Sequence, residues 1–219
     1  MNGKKEYFDA VRSGDISAVN SLLDAQPELL NARNDQGQSG VLLAAYTGRK
    51  EIRDVLIARG AVLELHEASA AGQFAKVKEL VEQDPALAKS FSPDGFPVLA
   101  LAAVFGHADI AKYLHENGAD VNAVSTNATG YTALTGAVAS GHTAIVDWLI
   151  SRGANVNHRY GHGYSPLLTA AADGCLEIVK MLLENGADPR AATNDGKTAL
   201  QIAQDRGHKQ VADYLRGRG

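Results

Sequence analysis

Residues Gly163–Arg190 read GYSPLLTAAADGCLEIVKMLLENGADPR. Ser165 can cap free backbone N–H groups with its hydroxyl, and Pro166 follows at the first helical position, where a missing N–H costs nothing. Leu167, Ala170 and Ala171 lie at i, i+3 and i+4, with Gly174 at i+7. That spacing predicts a short helix with one small-residue face, ended by a turn glycine. A second stripe of Ile178, Val179, Leu182 and Leu183 predicts a second helix, which Gly186 ends by taking the left-handed conformation that other residues resist. Two helices of about nine residues cannot bury such stripes against each other alone. The hairpin needs neighbours of its own kind stacked on both sides.

Copies of the unit run through the whole chain. Counterparts of Gly174 stand at Gly14, Gly48, Gly72, Gly106, Gly141 and Gly207, with successive spacings of 34, 24, 34, 35, 33 and 33 residues. A second series, Gly37, Gly95, Gly130, Gly163 and Gly196, marks the tip of a loop before a hairpin, and Gly60, Gly118, Gly153 and Gly186 close second helices. FPVLALAAVFGH at 96–107, YTALTGAVASGH at 131–142, YSPLLTAAADGC at 164–175 and KTALQIAQDRGH at 197–208 share one frame. That frame resembles the T-P-L-H-x-A-A-x-x-G-H signature of ankyrin repeats, over essentially the whole chain. The resemblance implies an all-α solenoid of helix-turn-helix hairpins, with a short β-hairpin finger projecting between successive units and one continuous core. The expected organisation is a single domain over 1–219, with repeats near 2–34, 35–61, 62–91, 92–124, 125–157, 158–190 and 191–219.

Two departures interrupt the regular period. Between Gly48 and Gly72, ARGAVLELHEASAAG leaves no room for a finger, so the third hairpin is expected to lack one, with stacking there resting on Leu63, Leu65, Val77 and Leu80. AVRSGDISAVNSLLDAQPELL at 10–30 recurs as ASAAGQFAKVKELVEQDPALA at 68–88, an offset of 58 residues. The first four hairpins thus read as two copies of a pair, and Pro27 and Pro85, at matching positions, are expected to start longer connectors. Polar faces from Lys4, Lys5, Glu6 and Asp9 at one end, and from Asp205, Arg206, Lys209 and Gln210 at the other, suit terminal units on which nothing stacks. The tail RGRG, without an apolar residue, is expected to fray.

Composition narrows the function classes. The chain is 45% hydrophobic and 21% charged with a formal charge of −4, and residues 61–122 hold most of the acidic excess. Such a balance disfavours nucleic acid, whose phosphates need a basic stripe. No run of about 18 apolar residues exists, and MNGKKEYFDAVRSG lacks a signal-peptide core, so a cytoplasmic protein without a membrane span is expected. The lone Cys175 can form no internal disulfide, in keeping with a reducing compartment.

Candidate chemistry is sparse. His107, His142 and His208 follow inter-helix glycines, and His66 occupies the histidine of the repeat frame, so all four are read as structural hydrogen-bonding residues. Asn122, in LHENGADVN, resembles turn asparagines that oxygenases hydroxylate in some ankyrin proteins, but holding the turn explains it as well. No serine or cysteine shows a paired base, and no metal set is complete, so neither catalysis nor a cofactor is expected. NHRYGHGY remains unusual, and an alternative reading makes His158, Tyr160, His162 and Tyr164 the pocket of an enzyme or small-molecule binder.

The aromatic residues carry the stronger signal. By the resemblance, partner contacts come from residues around each finger-tip glycine and from the two residues before each inter-helix glycine. Tyr46, Phe91, Phe96, Phe105, Tyr131, Tyr160 and Tyr164 fall at or beside such positions, whereas Tyr113, Trp148 and Tyr214 share one packing slot in second helices. The chain is therefore expected to be a monomeric, non-catalytic module that binds a partner protein or peptide. Its contact set would be Tyr46, Phe96, Phe105, Tyr131 and Tyr164, with Arg159 and His162 at the polar edge.

Overall fold

In the computed structural model, which describes residues 2–218, the apolar stripes become fourteen α-helices in seven consecutive hairpins. They are α1 (Asn2–Ser13) with α2 (Ile16–Ala25), α3 (Gly40–Tyr46) with α4 (Lys50–Ala58), α5 (Leu65–Ala71) with α6 (Phe74–Gln83), and α7 (Val98–Val104) with α8 (Ala108–Glu116). The last three pairs are α9 (Ala133–Ala139) with α10 (Thr143–Ser151), α11 (Pro166–Ala172) with α12 (Leu176–Glu184), and α13 (Ala199–Asp205) with α14 (Lys209–Leu215). First helices stack on first helices in the order α1, α3, α5, α7, α9, α11, α13. All seven inter-helix glycines have φ between +68° and +87°, which is why no other residue type holds that place.

The helix starts follow from side-chain capping. The hydroxyls of Ser39, Thr132, Ser165 and Thr198 accept hydrogen bonds from the backbone N–H groups of Leu42, Thr135, Leu168 and Gln201, each satisfying a donor that the first turn leaves free. Pro27 and Pro85 each open a 3-10 turn, Pro27–Asn31 and Pro85–Lys89, as their fixed φ favours.

Adjacent hairpins are tied by recurrent side-chain bonds. His107, His142 and His208 reach back through Nε2 to the carbonyls of Ala70, Val104 and Ala172, at 3.3, 3.0 and 2.9 Å. Asn122 clamps the next turn from both ends of its amide, donating to the Gly153 carbonyl and accepting from the Asn155 N–H, and Asn157 repeats the device on Gly186 and Asp188. Asn122 holds the turn.

The fingers are smaller than β-hairpins. Each is a loop closed around its tip glycine by a backbone bond, Asn34 N–H to Gln38, Ser92 to Phe96, Ser125 to Tyr131, Tyr160 to Tyr164 and Thr193 to Lys197, at 2.7–3.0 Å, and in all but the third the tip glycine N–H adds a second bond to the carbonyl of the loop's first residue. Only isolated bridges form among the described residues, because the chain turns into the next helix immediately after the bridge. No bridge forms between Gly60 and His66, where Ala61–Glu64 runs as coil into α5. The third hairpin has no finger.

The expected single continuous core is divided at this point. Buried residues from Tyr7 to Leu56, with Ala71, form one cluster, and residues from Leu65 to Leu215 form another, with Leu63 packed against both. Leu65 and Val77 are buried, and Leu63 and Leu80 are half-buried. A third, small cluster of Leu42, Ala45, Ala70 and Leu101, packed by Tyr46, Phe96 and Phe105, spans the junction. The division coincides with the missing finger. At the C-terminus the Arg218 guanidinium lies 3.8 Å over the Tyr214 ring and donates to the Tyr214 carbonyl, and Arg216–Arg218 form a turn. Gly219 lies outside the described residues.

Candidate functional site

The residue after each finger-tip glycine gives its carbonyl to the bond that closes the loop, so its side chain is held over the start of the following helix. In three successive fingers that residue is Phe96, Tyr131 and Tyr164. Tyr46 and Phe105, at the ends of α3 and α7, approach the same region from the helix side. The rings form a row. Tyr46 stacks on Phe105 with centroids 6.0 Å apart, meets Phe96 edge-on at 6.2 Å, and Phe96 continues to Tyr131 at 6.3 Å and Tyr131 to Tyr160 at 5.0 Å. These separations suit edge and offset ring contacts.

Two adjoining cavities follow this row. The first, of about 350 Å3, has Tyr46, Phe96, Phe105 and Tyr131 around a floor of Ala100 and Gly136. Gly136 is required there, because a Cβ would collide with Val104. The second, of about 490 Å3, is bounded by Tyr131, Tyr160, His162, Tyr164 and Arg206. Tyr131 and the exposed Ala139 line both, which makes the two cavities one groove between finger loops and first helices.

Most of the expected contact set comes together here. Tyr46, Phe96, Phe105 and Tyr131 surround the first cavity, and Tyr131, His162 and Tyr164 border the second. Arg159 does not join them. Its guanidinium donates to the Ala192 carbonyl at 2.8 Å, bracing the next finger from outside the groove. His158 is also drawn away, with Nε2 2.8 Å from the Gly130 carbonyl, so the four-residue pocket of the alternative reading loses one member. Tyr160 is buried against Thr169, and burial pushes its hydroxyl up to about 12. Phe91 is 41% exposed and faces a separate cleft beside Lys89 and Asp120. Its side of the finger is opposite that of Phe96.

Asp94, at the second finger tip, bonds Tyr46 from outside the lining of the first cavity. One carboxylate oxygen accepts from the hydroxyls of Tyr46, at 3.2 Å, and Ser92, and the other accepts from Gln38 Nε2 at 2.9 Å. Burial, then the Asp94 charge, holds the Tyr46 hydroxyl well above the ordinary phenol range. Sequence reasoning passed over Asp94, although an acid beside the tip glycine of the same finger as Phe96 is visible in SPDGF.

A second polar cluster sits at the finger-less junction. Arg33 reaches from the first finger to Glu64 and Glu67 at 2.6 and 3.0 Å, and His66 lies between the two carboxylates at 3.7 and 3.4 Å. Glu67 is fully buried and His66 nearly so. Burial opposes ionisation of Glu67, but the neighbouring His66 and the Glu64 backbone N–H outweigh it and hold the carboxyl below its usual range. Glu67 thus takes the capping bond that Thr135 and Gln201 make elsewhere, while His66 Nε2 has no hydrogen-bond partner among the described residues. His66 was read as a hydrogen-bonding frame residue. Helix α5 starts one residue later than its counterparts relative to the inter-helix glycine, which moves that role to Glu67. The readable signal was Glu64 at the cap, in place of Ser or Thr, with Glu67 three residues on.

Burial and the Asp173 carboxylate push the Cys175 thiol up, away from the thiolate form a nucleophile requires.

Stacked helical hairpins with tip-closed loops and a side-chain-lined groove between loops and first helices define a repeat solenoid. The chain belongs to the ankyrin-repeat family. Two ankyrin-repeat family models match it, one over residues 65–160 and one over 149–203, together more than half of the chain. Among curated proteins it is similar to the ankyrin repeat and SAM domain-containing protein 6 of Rattus norvegicus, 33% identical over 130 residues, which is 59% of this chain and 12% of that protein. The Mus musculus protein of the same name is 31% identical over 130 residues, with the same coverage. Alpha-latrocrustotoxin-Lt1a of Latrodectus tredecimguttatus is 33% identical over 116 residues, 49% of this chain and 8% of the toxin. The similarity spans only a small part of each relative's length. No helix among the described residues is long and apolar enough to cross a membrane.

Proposed function

We propose that this chain is a non-catalytic interaction module that holds a partner protein or peptide in the groove between its finger loops and first helices. Ankyrin repeats are in general protein-interaction modules, and what supports this particular face is the row from Phe105 through Tyr46 and Phe96 to Tyr131. Those rings come from three hairpins separated in sequence, and their slot does not demand an aromatic, since Gln38 and Lys197 occupy it in other fingers. Aromatic side chains concentrate binding energy because they cover much area at little rotamer cost, with roughly 2 kcal/mol for each ring that acts as a hot spot. Tyr46, Phe96, Phe105, Tyr131 and Tyr164 supply the apolar contacts in this reading, and His162 the polar edge. A protein rather than a nucleic acid fits the net charge of −4, and a cytoplasmic, monomeric protein fits the lone thiol and the polar terminal faces.

The test fills the groove without touching the core. Ala139 is exposed and borders both cavities, so Ala139→Arg should abolish partner binding while the thermal midpoint stays within about 2 °C of the parent, as surface changes usually do. Partner binding that survives Ala139→Arg, with hydrogen-exchange protection mapped elsewhere on the solenoid, would place the interaction on another face.

A further inference from the structure

The first cavity has one wall that its own hairpins do not supply. Phe96, Ala100, Phe105, Tyr131 and Gly136 belong to the fourth and fifth hairpins and the fingers before them, whereas Tyr46 reaches in from α3. No described residue of the third hairpin lines the cavity. The Tyr46 ring is therefore held in place across the junction where the core divides and the finger is missing.

The fingers are joined differently at that junction. Each later pair of neighbours shares a backbone bond, Thr126 N–H to Gly95, Gly161 N–H to Thr129 and Asn194 N–H to His162, at 2.9–3.1 Å. The first and second fingers have no such bond among the described residues, although Gly37 and Pro93 approach so closely that a Cβ on the glycine would stand 2.9 Å from the proline. The Asp94 carboxylate makes the connection instead. It accepts from Gln38 Nε2 of the first finger at 2.9 Å and from the Tyr46 hydroxyl at 3.2 Å, and Ser92 donates to it from within its own finger. Its backbone carbonyl accepts from Asn127 of the third finger at 2.7 Å, so this one residue ties the fingers on both sides. Asp94 stands outside the cavity lining and acts on the groove through Tyr46.

We infer that Asp94 is the positioning residue of the groove: its carboxylate latches the Tyr46 ring across the finger-less junction, and partner affinity depends on that latch. This rests on the groove being the binding face. Without the carboxylate, the half-buried Tyr46 hydroxyl must find water, which draws the ring away from Phe96 and Phe105 and opens the cavity wall. Removing the hydroxyl together with its acceptor leaves no such demand, so the ring can stay. The dependence runs both ways, since an occupant that packs on Tyr46 in the latched arrangement also favours the closed junction.

The experiment selects random linear peptides by display on the full 219-residue chain. Binders that compete with one another, lose binding on Ala139→Arg and protect the Phe96–Phe105 backbone from hydrogen exchange on the parent protein are groove-directed. On the parent these should also slow exchange in α3, on the far side of the junction, a readout that needs no further variant. Asp94→Ala should weaken them by about tenfold or more, as expected when a buried donor loses its acceptor. It should also abolish their effect on α3 while Phe96–Phe105 stays protected. In the Tyr46→Phe background, where no hydroxyl needs an acceptor, the same Asp94→Ala change should weaken binding by about threefold or less. Asp94→Asn, which keeps an acceptor oxygen, should bind within about threefold of the parent. Groove-directed peptides that leave α3 unchanged on the parent, bind folded Asp94→Ala as tightly as the parent, or lose as much in the Tyr46→Phe background would overturn the latch and leave the groove as the binding face. A loss on Asp94→Asn as large as on Asp94→Ala would also overturn it, in favour of a partner that reads the Asp94 charge directly. Failure to recover any groove-directed peptide would overturn both.

Discussion

Tyr7 shows how a single buried atom can cost stability. Its ring is fully buried under Gly40, its hydroxyl has no hydrogen-bond partner among the described residues, and burial pushes that hydroxyl far above the ordinary phenol range. An unsatisfied buried hydroxyl is penalised by about 1–3 kcal/mol, so Tyr7→Phe should raise stability, by roughly 1 kcal/mol after relaxation, measured by urea denaturation. Gly40→Ala should do the opposite, since the added methyl collides with the same ring. His107 provides a pH signature. Burial, which outweighs its bond to the Ala70 carbonyl, lowers its pKa below the usual imidazole value. The folded state therefore binds that proton less readily than the unfolded chain, so its contribution is complete above about pH 6.5 and is lost as pH falls through the lower folded value. Stability should fall on acidification from pH 7.5 to 5.5, and His107→Gln should flatten that slope.

Helix α5 and its connector depend on a polar network where the other hairpins use a finger. Arg33 joins Glu64 and the fully buried Glu67, and removing Arg33 leaves Glu67 charged, buried and without its guanidinium. Breaking such a pair is costly. Because the Arg33 side chain is 34% exposed and partly screened, Arg33→Ala should cost about 2 to 3 kcal/mol rather than the full penalty of a buried pair. The Glu67 carboxyl, held below its usual range, stabilises the fold above the unfolded carboxylate value near pH 4.3, a contribution that disappears as pH falls through the folded value. Acid unfolding below pH 4.3 should therefore be shallower in Glu67→Gln than in the parent. The same network explains why α5 tolerates a charged cap: Glu67 satisfies the Glu64 N–H at 2.7 Å, the bond that a threonine or glutamine hydroxyl or amide makes at α9 and α13.

The stack as a whole is held by nearest-neighbour interfaces, so its weakest interface decides how it opens. Second helices pack α2 on α4, α6 on α8, α10 on α12 and α12 on α14, but α4 on α6 and α8 on α10 are slighter contacts. The α4–α6 gap coincides with the division of the core between Leu56 and Leu65 and with the absent finger, and side-chain bonds from Arg33, Gln38 and Tyr46 cross it, whereas the α8–α10 gap lies within one core cluster and is crossed by finger-to-finger bonds from Thr126 to Gly95 and from Asn127 to Asp94. Native-state hydrogen exchange should show α1–α4 opening as a unit at lower free energy than α7–α14. A single global exchange limit shared by all seven hairpins would contradict this. Since the aromatic row joins Tyr46, before the junction, to Phe96 and Phe105, beyond it, a bound partner should raise protection on both sides of the junction.

The hairpin, its period, the missing finger and the aromatic slot are all local properties, decided by glycine spacing, cap residues and apolar stripes within about 35 residues of chain, which is why the sequence alone determined them. It also placed Tyr46, Phe96, Phe105 and Tyr131 on one face, because repeat register converts equal positions into neighbours. Register does not choose rotamers or cross-repeat partners. Arg159 and His158 left the groove because backbone carbonyls at Ala192 and Gly130, in the adjacent fingers, were within reach of their donors. The bonds of Arg33 to Glu64 and Glu67 and of Gln38 to Asp94 likewise depend on side chains 31 to 56 positions apart meeting at distances of 2.6 to 3.0 Å. Only the tertiary structure decides those encounters, since the energy of a charge is set by what stands beside it in space and how much water remains.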